Sequence, residues 1–271
     1  MYHKQKVLGL ILGEGLITKT LINNCKKKKI KTFIIAIENH YNSKYGKPDL
    51  ILNYNKIGNI FKFLKAQDIS QVIFLGKIKK KKLFKIRPDF ITLLYLAKLL
   101  FDYNKGDSKI IDKIARIFIK KKINIIDPRE LLKDNLCDKT YNYLYKENKT
   151  ITLTKIKEYF RLAKEFGKKD LGQSVIVVDN HILLSENEKG TDYLIKRFTR
   201  VKVSEPAFLV KVSKPEQNLK IDLPTIGPTT ILNIINSGLN GLIVENKKTL
   251  VENPGLTFKL IKDNNLLYYA I

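Results

Sequence analysis

The chain has too few cysteines and histidines to indicate a disulfide-stapled or zinc-dependent protein. Its 271 residues contain two cysteines, Cys25 and Cys137, and three histidines. Two cysteines cannot build a disulfide framework, and no Cys-x-x-Cys or spaced His/Cys set is present. Both classes are therefore disfavoured.

Long apolar runs are also missing. Uncharged apolar stretches such as residues 7–12 are far shorter than the roughly 18 to 20 residues of a membrane-spanning helix. No signal-peptide pattern opens the sequence, because a glycine-containing strand pattern begins within ten residues of Met1. We therefore expect a folded protein that acts in the cytoplasm.

Acidic residues are scarce, and arginine is the minor cation. The 51 basic and 26 acidic residues give a formal net charge of +25, which indicates a nucleic-acid or anionic-membrane partner. Only six of the basic residues are arginine, whereas readout of phosphates and bases favours arginine. We therefore expect no nucleic-acid partner, but attraction to acidic lipid headgroups of about 1 kcal/mol per well-placed lysine. Basic nucleic-acid binding stays an alternative, which a steep salt dependence of affinity would support.

The first half of the chain alternates continuous apolar runs with helical periodicity. This alternation predicts an open α/β domain with a parallel sheet over residues 1–133. The predicted strands are 6–12, 31–37, 71–76 and 123–127, and the predicted helices are 16–28, 59–66, 89–103 and 107–121.

The pattern changes after Lys133. Residues 134–150 are polar and Asn-rich, which indicates a connection between domains. Residues 151–271 are long enough to form a second α/β domain. Its predicted helices are 154–166 and 190–199, and its predicted strands are 174–179, 181–185 and segments near 207–212 and 241–251.

A glycine-containing turn separates the first predicted strand from the first helix. Gly13 and Gly15 would allow the backbone to approach a phosphate at the helix N-terminus. The full G-x-G-x-x-G pattern fails, since Thr18 occupies the third glycine position. A plain tight turn is equally compatible. A nicotinamide-dependent oxidoreductase, with Glu38 holding a ribose, stays an alternative.

Acidic residues lie at the ends of the predicted strands of the second half. They are Asp170 in DLGQ and Glu186, Glu188 and Asp192 in ENEKGTD. With Asp222 they could gather around a hard divalent cation, which takes carboxylate oxygens. Asp192 is equally compatible with a first-turn helix acid, with Thr191 near the cap.

The segment KIDLPTIGPTT, residues 220–230, places one acid among prolines, a glycine and threonines. Gly227 permits a turn there, and Thr229 could cap a helix over 230–237. Asp222 is either a functional carboxylate or a strand-end acid paired with a lysine. Lys211, Lys214 and Gln217 precede it, and lysine binds phosphate as a point charge.

These residues resemble a known family, the UDP-2,3-diacylglucosamine pyrophosphatases of the LpxI type. The resemblance runs in register over nearly the whole chain, and the block at 211–231 is its most specific part. It is carried by GLILGEG, IGNIFKFLKAQDISQVIFLGKI (57–78), GDSKIIDKIARIF (106–118), AKEFGKKDLGQ (163–173), GTDYLIKR (190–197), KVSKPEQNLKIDLPTIGPTTI (211–231) and SGLNGLIVE.

The resemblance implies an N-terminal Rossmann-like domain tethered to a C-terminal α/β domain particular to the family, with the substrate held between them. The implied reaction is Mg²⁺-aided hydrolysis of UDP-2,3-diacylglucosamine to UMP and 2,3-diacylglucosamine 1-phosphate (lipid X) in lipid A biosynthesis. The implied enzyme would contact the inner face of the inner membrane peripherally, and a homodimer is left open.

The resemblance implies an essential role for Asp222, and the rest of the expected site is a hypothesis from the residues themselves. Asp222 is the expected catalytic residue, either as a metal ligand or as the base that activates water. Asp222, Asp192 and Glu188 are the expected metal ligands. The expected substrate-binding residues are Gly13, Gly15, Asp170, Gln173, Gly190, Thr191, Asp192, Lys211, Lys214, Gln217, Thr225 and Gly227.

The chain departs from the family pattern at several loop positions. Glu14 replaces a usual glycine, Thr18 a proline and Lys77 a frequent asparagine. Lys189 stands where an acid is common, and Val244 and Lys247 replace small residues. The block around Asp222 is intact, so we expect the activity to be kept.

Overall fold

We describe the protein from a computed structural model, which describes residues 7–78, 89, 92, 107–142, 151–215 and 217–271. The chain forms two compact units. The first contains the described residues up to Lys133 together with Lys220–Asp222, and the second contains Asp134–Leu219 and Leu223–Ile271. The chain therefore returns to the first unit for three residues of the 220–230 segment.

The first unit is built on a parallel sheet. Among the described residues its strands are β1 (Leu8–Leu12), β2 (Thr32–Ile37), β3 (Leu50–Leu52), β4 (Gln71–Leu75) and β5 (Asn124–Ile125). They pair in the order β3-β2-β1-β4-β5, all in parallel. This is the order of a Rossmann-like sheet. β1 is buried along its whole length, as expected for a strand covered on both faces.

The helices of the first unit carry the predicted apolar periodicity. They are α1 (Leu16–Lys27), α2 (Asn59–Ala66) and α3 (Asp107–Lys120). In α1 the buried residues recur at helical spacing, at Ile17, Leu21 and Cys25. Burial raises the pKa of the Cys25 thiol to about 11, so Cys25 is a neutral core residue at physiological pH.

The second unit contains a mixed sheet and a small parallel pair. The described strands of the mixed sheet are β6 (Ser174–Val178), β7 (His181–Ser185), β8 (Ala207–Lys211), β10 (Gly241–Val244) and β12 (Leu267–Ala270), and the small pair is β9 (Thr225–Ile226) with β11 (Leu250–Val251). The mixed sheet has the order β12-β10-β8-β6-β7, and β6 runs antiparallel to both neighbours. β8, β10 and β12 are parallel.

Helices cover both faces of this mixed sheet. They are α4 (Leu153–Gly167), α5 (Thr191–Phe198), α6 (Pro228–Ser237) and α7 (Pro254–Asp263). Residues of α4 such as Ile156 pack with Phe208 and Val210 on one face. Residues of α5, α6 and α7 pack in a second core with Leu209 and Leu242. The α/β class predicted for both halves is confirmed.

Residues 134–142, which the sequence assigns to a connection, pack within the second unit. Asn135 Nδ2 donates to Val251 O and Asn142 Nδ2 donates to Ala270 O, both at 2.9 Å. The two asparagine side chains satisfy backbone carbonyl oxygens of β11 and β12. The composition of the segment alone does not reveal these contacts.

Three further predictions differ from the structure or lie outside it. The strand segment expected near 241–251 contains two strands that lie in different sheets, β10 and β11. The helix expected from residue 230 begins at Pro228, with Gly227 rather than Thr229 at the N-cap position, because proline suits the first helical position. The helix predicted over 89–103 lies outside the described residues, apart from positions 89 and 92.

Within the part of the chain that the structure describes, no helix is both long and apolar enough to cross a lipid bilayer.

Candidate functional site

The turn after β1 requires glycine because another loop passes very close to it. Glu14 N donates to Lys77 O at 2.9 Å, and Lys77 N donates to Glu14 O at 2.8 Å. A Cβ atom at Gly13 would lie only 2.6 Å from Lys77 O. Gly15 adopts a φ of 129° at the N-cap position of α1, a backbone conformation that favours glycine. Both predicted glycines therefore have a backbone role in this turn.

An open cleft of about 470 Å³ lies beside this turn. It is lined by Glu14 and Gly15 and by residues of the 39–45 loop that follows β2. It therefore lies at the carboxyl ends of β1 and β2, the edge at which Rossmann-like sheets bind nucleotides. Glu38, which the oxidoreductase alternative assigns to a ribose, accepts a hydrogen bond from Asn53 Nδ2 at 2.8 Å.

Asp222 lies in the three-residue segment that belongs to the first unit. Ile221 packs against the core of that unit. Burial raises the pKa of Asp127, but hydrogen bonds from Arg129 and the positive charges of Arg129 and Lys220 outweigh it and lower the pKa of Asp127. Asp127 follows β5, so Ile221 and Lys220, the two residues directly before Asp222, both interact with the first unit.

In the second unit, Lys214 and Asp170 form an ion pair, with Lys214 Nζ 2.6 Å from Asp170 Oδ1. Lys214 is buried, and Asp170 has a left-handed backbone at φ 53° in the turn after α4. The structure therefore brings together a predicted phosphate-binding lysine and a predicted substrate-binding acid. A buried ammonium needs a partner, and Asp170 is the partner of Lys214.

The hydroxyl of Thr191 connects the second candidate lysine to a buried acid. Lys211 Nζ donates to Thr191 Oγ1 at 2.7 Å, and Thr191 Oγ1 donates to Glu186 Oε1 at 2.8 Å. Ser174 Oγ lies 3.1 Å from the same oxygen. A hydroxyl has one proton, so Ser174 is the donor in that contact. The Thr191 side chain therefore holds Lys211 in place, and its role in substrate binding stays a prediction.

Gln173 and Gln217 brace the segment that carries Lys214. Gln217 Oε1 accepts from Lys214 N at 2.9 Å, and Gln217 Nε2 donates to Gln173 Oε1 at 3.2 Å. Gln173 N donates to Glu186 Oε2 at 2.7 Å. These two predicted substrate-binding residues thus form one partly buried hydrogen-bond network with Glu186.

Gly190, Thr225 and Gly227 have local backbone roles. Gly190 is the N-cap residue of α5 with a φ of 83°. Thr225 Oγ1 donates to Leu223 O at 3.2 Å. A Cβ atom at Gly227 would lie 2.9 Å from the Cβ of Glu252, so β9 and β11 can approach closely only with glycine there.

Asp192 and Glu188, two of the residues predicted as metal ligands, lie in the second unit. Asp192 and Glu188 are exposed, and Asp192 Oδ1 accepts from Asn233 Nδ2 at 3.1 Å. Among the described residues, no group of three or more His, Cys, Asp or Glu side chains is arranged to hold a metal ion. Asp192 and Glu188 alone therefore do not supply a complete donor set for a cation, and the metal site stays a prediction.

Sequence reasoning missed the contacts around Ser213, which involve Lys164 and Glu245. The only available signal was the position of Ser213 directly before Lys214. A single serine within a lysine-rich segment is too common to be recognised.

The first sheet is parallel with a glycine turn at the carboxyl end of β1, and buried lysines lie at the second sheet. These features define a two-domain α/β protein with candidate phosphate-binding groups. The chain belongs to the LpxI family. The model of the LpxI N-terminal domain matches residues 7–135, and that of the LpxI C-terminal domain matches residues 142–269.

A curated relative is similar over nearly the full length. The UDP-2,3-diacylglucosamine pyrophosphatase LpxI of Caulobacter vibrioides is 26% identical over 253 residues, which cover 90% of each chain. Among solved structures, the biotin carboxylase domain of a thermophilic 2-oxoglutarate carboxylase is 16% identical and covers 70% of this chain and 39% of its own. Its TM-score of 0.25 is too low to support an argument.

Proposed function

We propose that this protein hydrolyses the pyrophosphate bond of UDP-2,3-diacylglucosamine to UMP and 2,3-diacylglucosamine 1-phosphate in lipid A biosynthesis. The match of both LpxI domain models to this one chain carries the proposal. The LpxI relative from Caulobacter vibrioides, a UDP-2,3-diacylglucosamine pyrophosphatase, supports the proposal, because the similarity covers 90% of both chains.

The buried lysines are the groups that would bind the phosphates. A pyrophosphate carries negative charge that must be neutralised as one phosphate leaves. Lys211 and Lys214 are each held by a protein oxygen. An ammonium has three N–H donors, so Lys214 can bind Asp170 and a phosphate oxygen together.

Asp222 is the residue that we assign to the reacting centre. A water oxygen would attack the β-phosphorus, and the bond from this phosphorus to the bridging oxygen would break, which releases UMP. If Asp222 acts as the base, its carboxylate takes one proton of the attacking water. A role in holding a cation is the other assignment compatible with a carboxylate at this position.

The cleft beside Gly15 is where we propose that the nucleotide half binds. Backbone N–H groups at the start of α1 favour a phosphate electrostatically. Asparagine, serine and tyrosine side chains of the 39–45 loop are of the types that hydrogen-bond and stack with a nucleoside. Gly13 would act indirectly, since it permits the turn that places Gly15.

Magnesium stays a prediction. When bound, a divalent cation would neutralise phosphate charge. The test is to compare turnover in Mg²⁺ with turnover in excess EDTA, and equal rates would contradict the cofactor.

Peripheral contact with the inner face of the inner membrane is also part of the proposal. The net charge of +25 would favour anionic headgroups, where a diacylated substrate resides. Sedimentation with anionic and neutral vesicles would distinguish an electrostatic contact from no contact.

The decisive experiment incubates the purified protein with UDP-2,3-diacylglucosamine and Mg²⁺ and measures UMP and the lipid phosphate. We expect both products in equal amounts. A folded sample without turnover would contradict the proposed function.

Asp222→Asn tests the assigned residue, since it keeps the size and removes the charge. We expect turnover to fall about 10³-fold, within the range for a lost acid–base group. Asp263→Asn is the matched control, because Asp263 is a surface residue of α7 that pairs with Lys259. Near-normal activity of Asp222→Asn at unchanged stability would remove Asp222 from the reacting centre.

A further inference from the structure

Ser213 is held at three polar atoms. Its backbone N–H and its hydroxyl both donate to Glu245 Oε2, at 2.8 and 2.6 Å, and its carbonyl accepts from Lys164 Nζ at 2.8 Å. Ser213 is only 3% exposed, so water does not readily replace these partners. Because Ser213 directly precedes Lys214, its fixed peptide groups set the direction in which the Lys214 side chain begins.

The carboxylate that holds Ser213 comes from a distant part of the sequence. Glu245 directly follows β10 and is 6% exposed. Lys164 Nζ on α4 lies 3.2 Å from Glu245 Oε2, and Lys248 Nζ lies 2.8 Å from Glu245 Oε1. Two ammonium groups and one serine therefore compensate the buried carboxylate, as burial of a charge requires.

Glu245 is ionised at neutral pH. Burial raises its pKa, but hydrogen bonds from Lys248 and Ser213 and the charge of Lys164 outweigh it and hold the pKa of Glu245 below its usual value of 4.5. An ionised carboxylate can only accept hydrogen bonds, which is what the N–H and hydroxyl of Ser213 need.

We propose that Glu245 is a positioning residue, which fixes Ser213 so that Lys214 stands ready to bind a phosphate of the substrate. The inference rests on the proposed function, in which Lys214 belongs to the phosphate clamp. The segment is also held beyond the lysine, since Lys214 N donates to Gln217 Oε1. A lysine whose backbone is already ordered loses less conformational freedom when it binds a phosphate, so its affinity for the phosphate is higher.

The test variant is Glu245→Gln, which keeps the side-chain size. Its amide nitrogen cannot accept a hydrogen bond, and its neutral oxygen is a weaker acceptor. We expect KM for UDP-2,3-diacylglucosamine to rise about tenfold while kcat falls less than threefold, because the loss is mainly in ground-state binding. Titration calorimetry with inorganic pyrophosphate should show about tenfold weaker affinity.

Lys248→Met is the matched control. Lys248 donates to Glu245 Oε1, whereas Ser213 uses only Oε2. Loss of Lys248 therefore removes a charge partner of Glu245 without releasing Ser213. We expect KM and the affinity for pyrophosphate to stay within twofold of the wild-type values.

A folded Glu245→Gln protein with unchanged KM and unchanged pyrophosphate affinity overturns the inference. If the Glu245→Gln variant does not fold, Ser213→Ala is the deciding variant. It removes only the hydroxyl, with its bond to Glu245 and its longer contact with Lys164, and keeps the backbone bonds. We expect its KM to rise about threefold, and an unchanged value overturns the inference.

The two proposals fail separately. If the wild-type protein does not hydrolyse the lipid nucleotide, the proposed function is wrong, and the pyrophosphate titration alone then decides the positioning role. If Glu245→Gln binds pyrophosphate more weakly than the wild type, the positioning role is supported. If the two proteins bind it with equal affinity, or if the wild type does not bind it, the positioning role is overturned.

Discussion

Lys214 Nζ lies 2.6 Å from Asp170 Oδ1, across 44 positions of sequence. The Lys214 side chain is 9% exposed and that of Asp170 is 23% exposed. The pair thus joins the turn after α4 to the segment after β8. It holds a charged lysine at a largely dry position, where its attraction to a phosphate is less screened than in water.

Lys214→Met should lower both activity and stability. We expect kcat/KM to fall about 100-fold, since a charge that neutralises the phosphates is lost. The free energy of unfolding should fall by about 1 to 3 kcal/mol, less than for a fully buried pair, because Asp170 keeps some contact with water. Steady-state kinetics and denaturant unfolding measure the two effects.

Lys168→Met is the control for that change. Lys168 pairs with Glu165, and both side chains are more than half exposed, so neither quantity should change measurably. An equal loss of activity in both variants would show that general surface charge, rather than Lys214 itself, matters.

Thr191→Val should destabilise the second unit, while Thr191→Ser should not. Valine has a similar shape but leaves the buried Lys211 ammonium and Glu186 without the shared hydroxyl. We expect the free energy of unfolding to fall by about 1 to 3 kcal/mol for valine. Chemical denaturation measures this, and equal stability of the two variants would contradict the role of the hydroxyl.

Gly13→Ala should destabilise the first unit. The new Cβ atom would meet Lys77 O at 2.6 Å, and the resulting strain should cost about 1 to 3 kcal/mol. Gly255→Ala in α7 is the control without a steric clash, since a Cβ atom at this position would meet no other atom within 4 Å. Alanine in a helix should raise stability by about 0.5 to 1 kcal/mol. Thermal unfolding compares the two, and a neutral Gly13→Ala would contradict the close approach of the loops.

Acid should reduce the stability difference between the wild type and Glu245→Gln. The folded protein holds the pKa of Glu245 below 4.5, so the unfolded state binds the proton more readily. The stabilisation by ionised Glu245 is present above pH 4.5 and is lost as the pH falls through the folded pKa. Unfolding free energies measured at pH 7 and at steps below 4.5 should converge, and a constant difference would contradict the prediction.

Periodicity predicted most of the described elements because their residues are buried on regular faces. The predicted bounds of α2 and β7 agree with the structure, at 59–66 and 181–185. The three residues of β3 are too few to display a period. The polar stretch 245–249 separates β10 from β11 in the sequence, but nothing local shows that the two strands pair in different sheets.

The sequence by itself determined the α/β class, the glycine turn after β1 and the candidate lysines, because burial patterns and backbone geometry are local properties. The tertiary structure decided which side chains form hydrogen bonds and ion pairs with each other. Pairing of Lys214 with Asp170, of Lys211 with Thr191, and of Ser213 with Glu245 depends on contacts between residues far apart in sequence. Local propensity carries no information about such contacts, whereas a buried charge makes a partner necessary once the chain has folded.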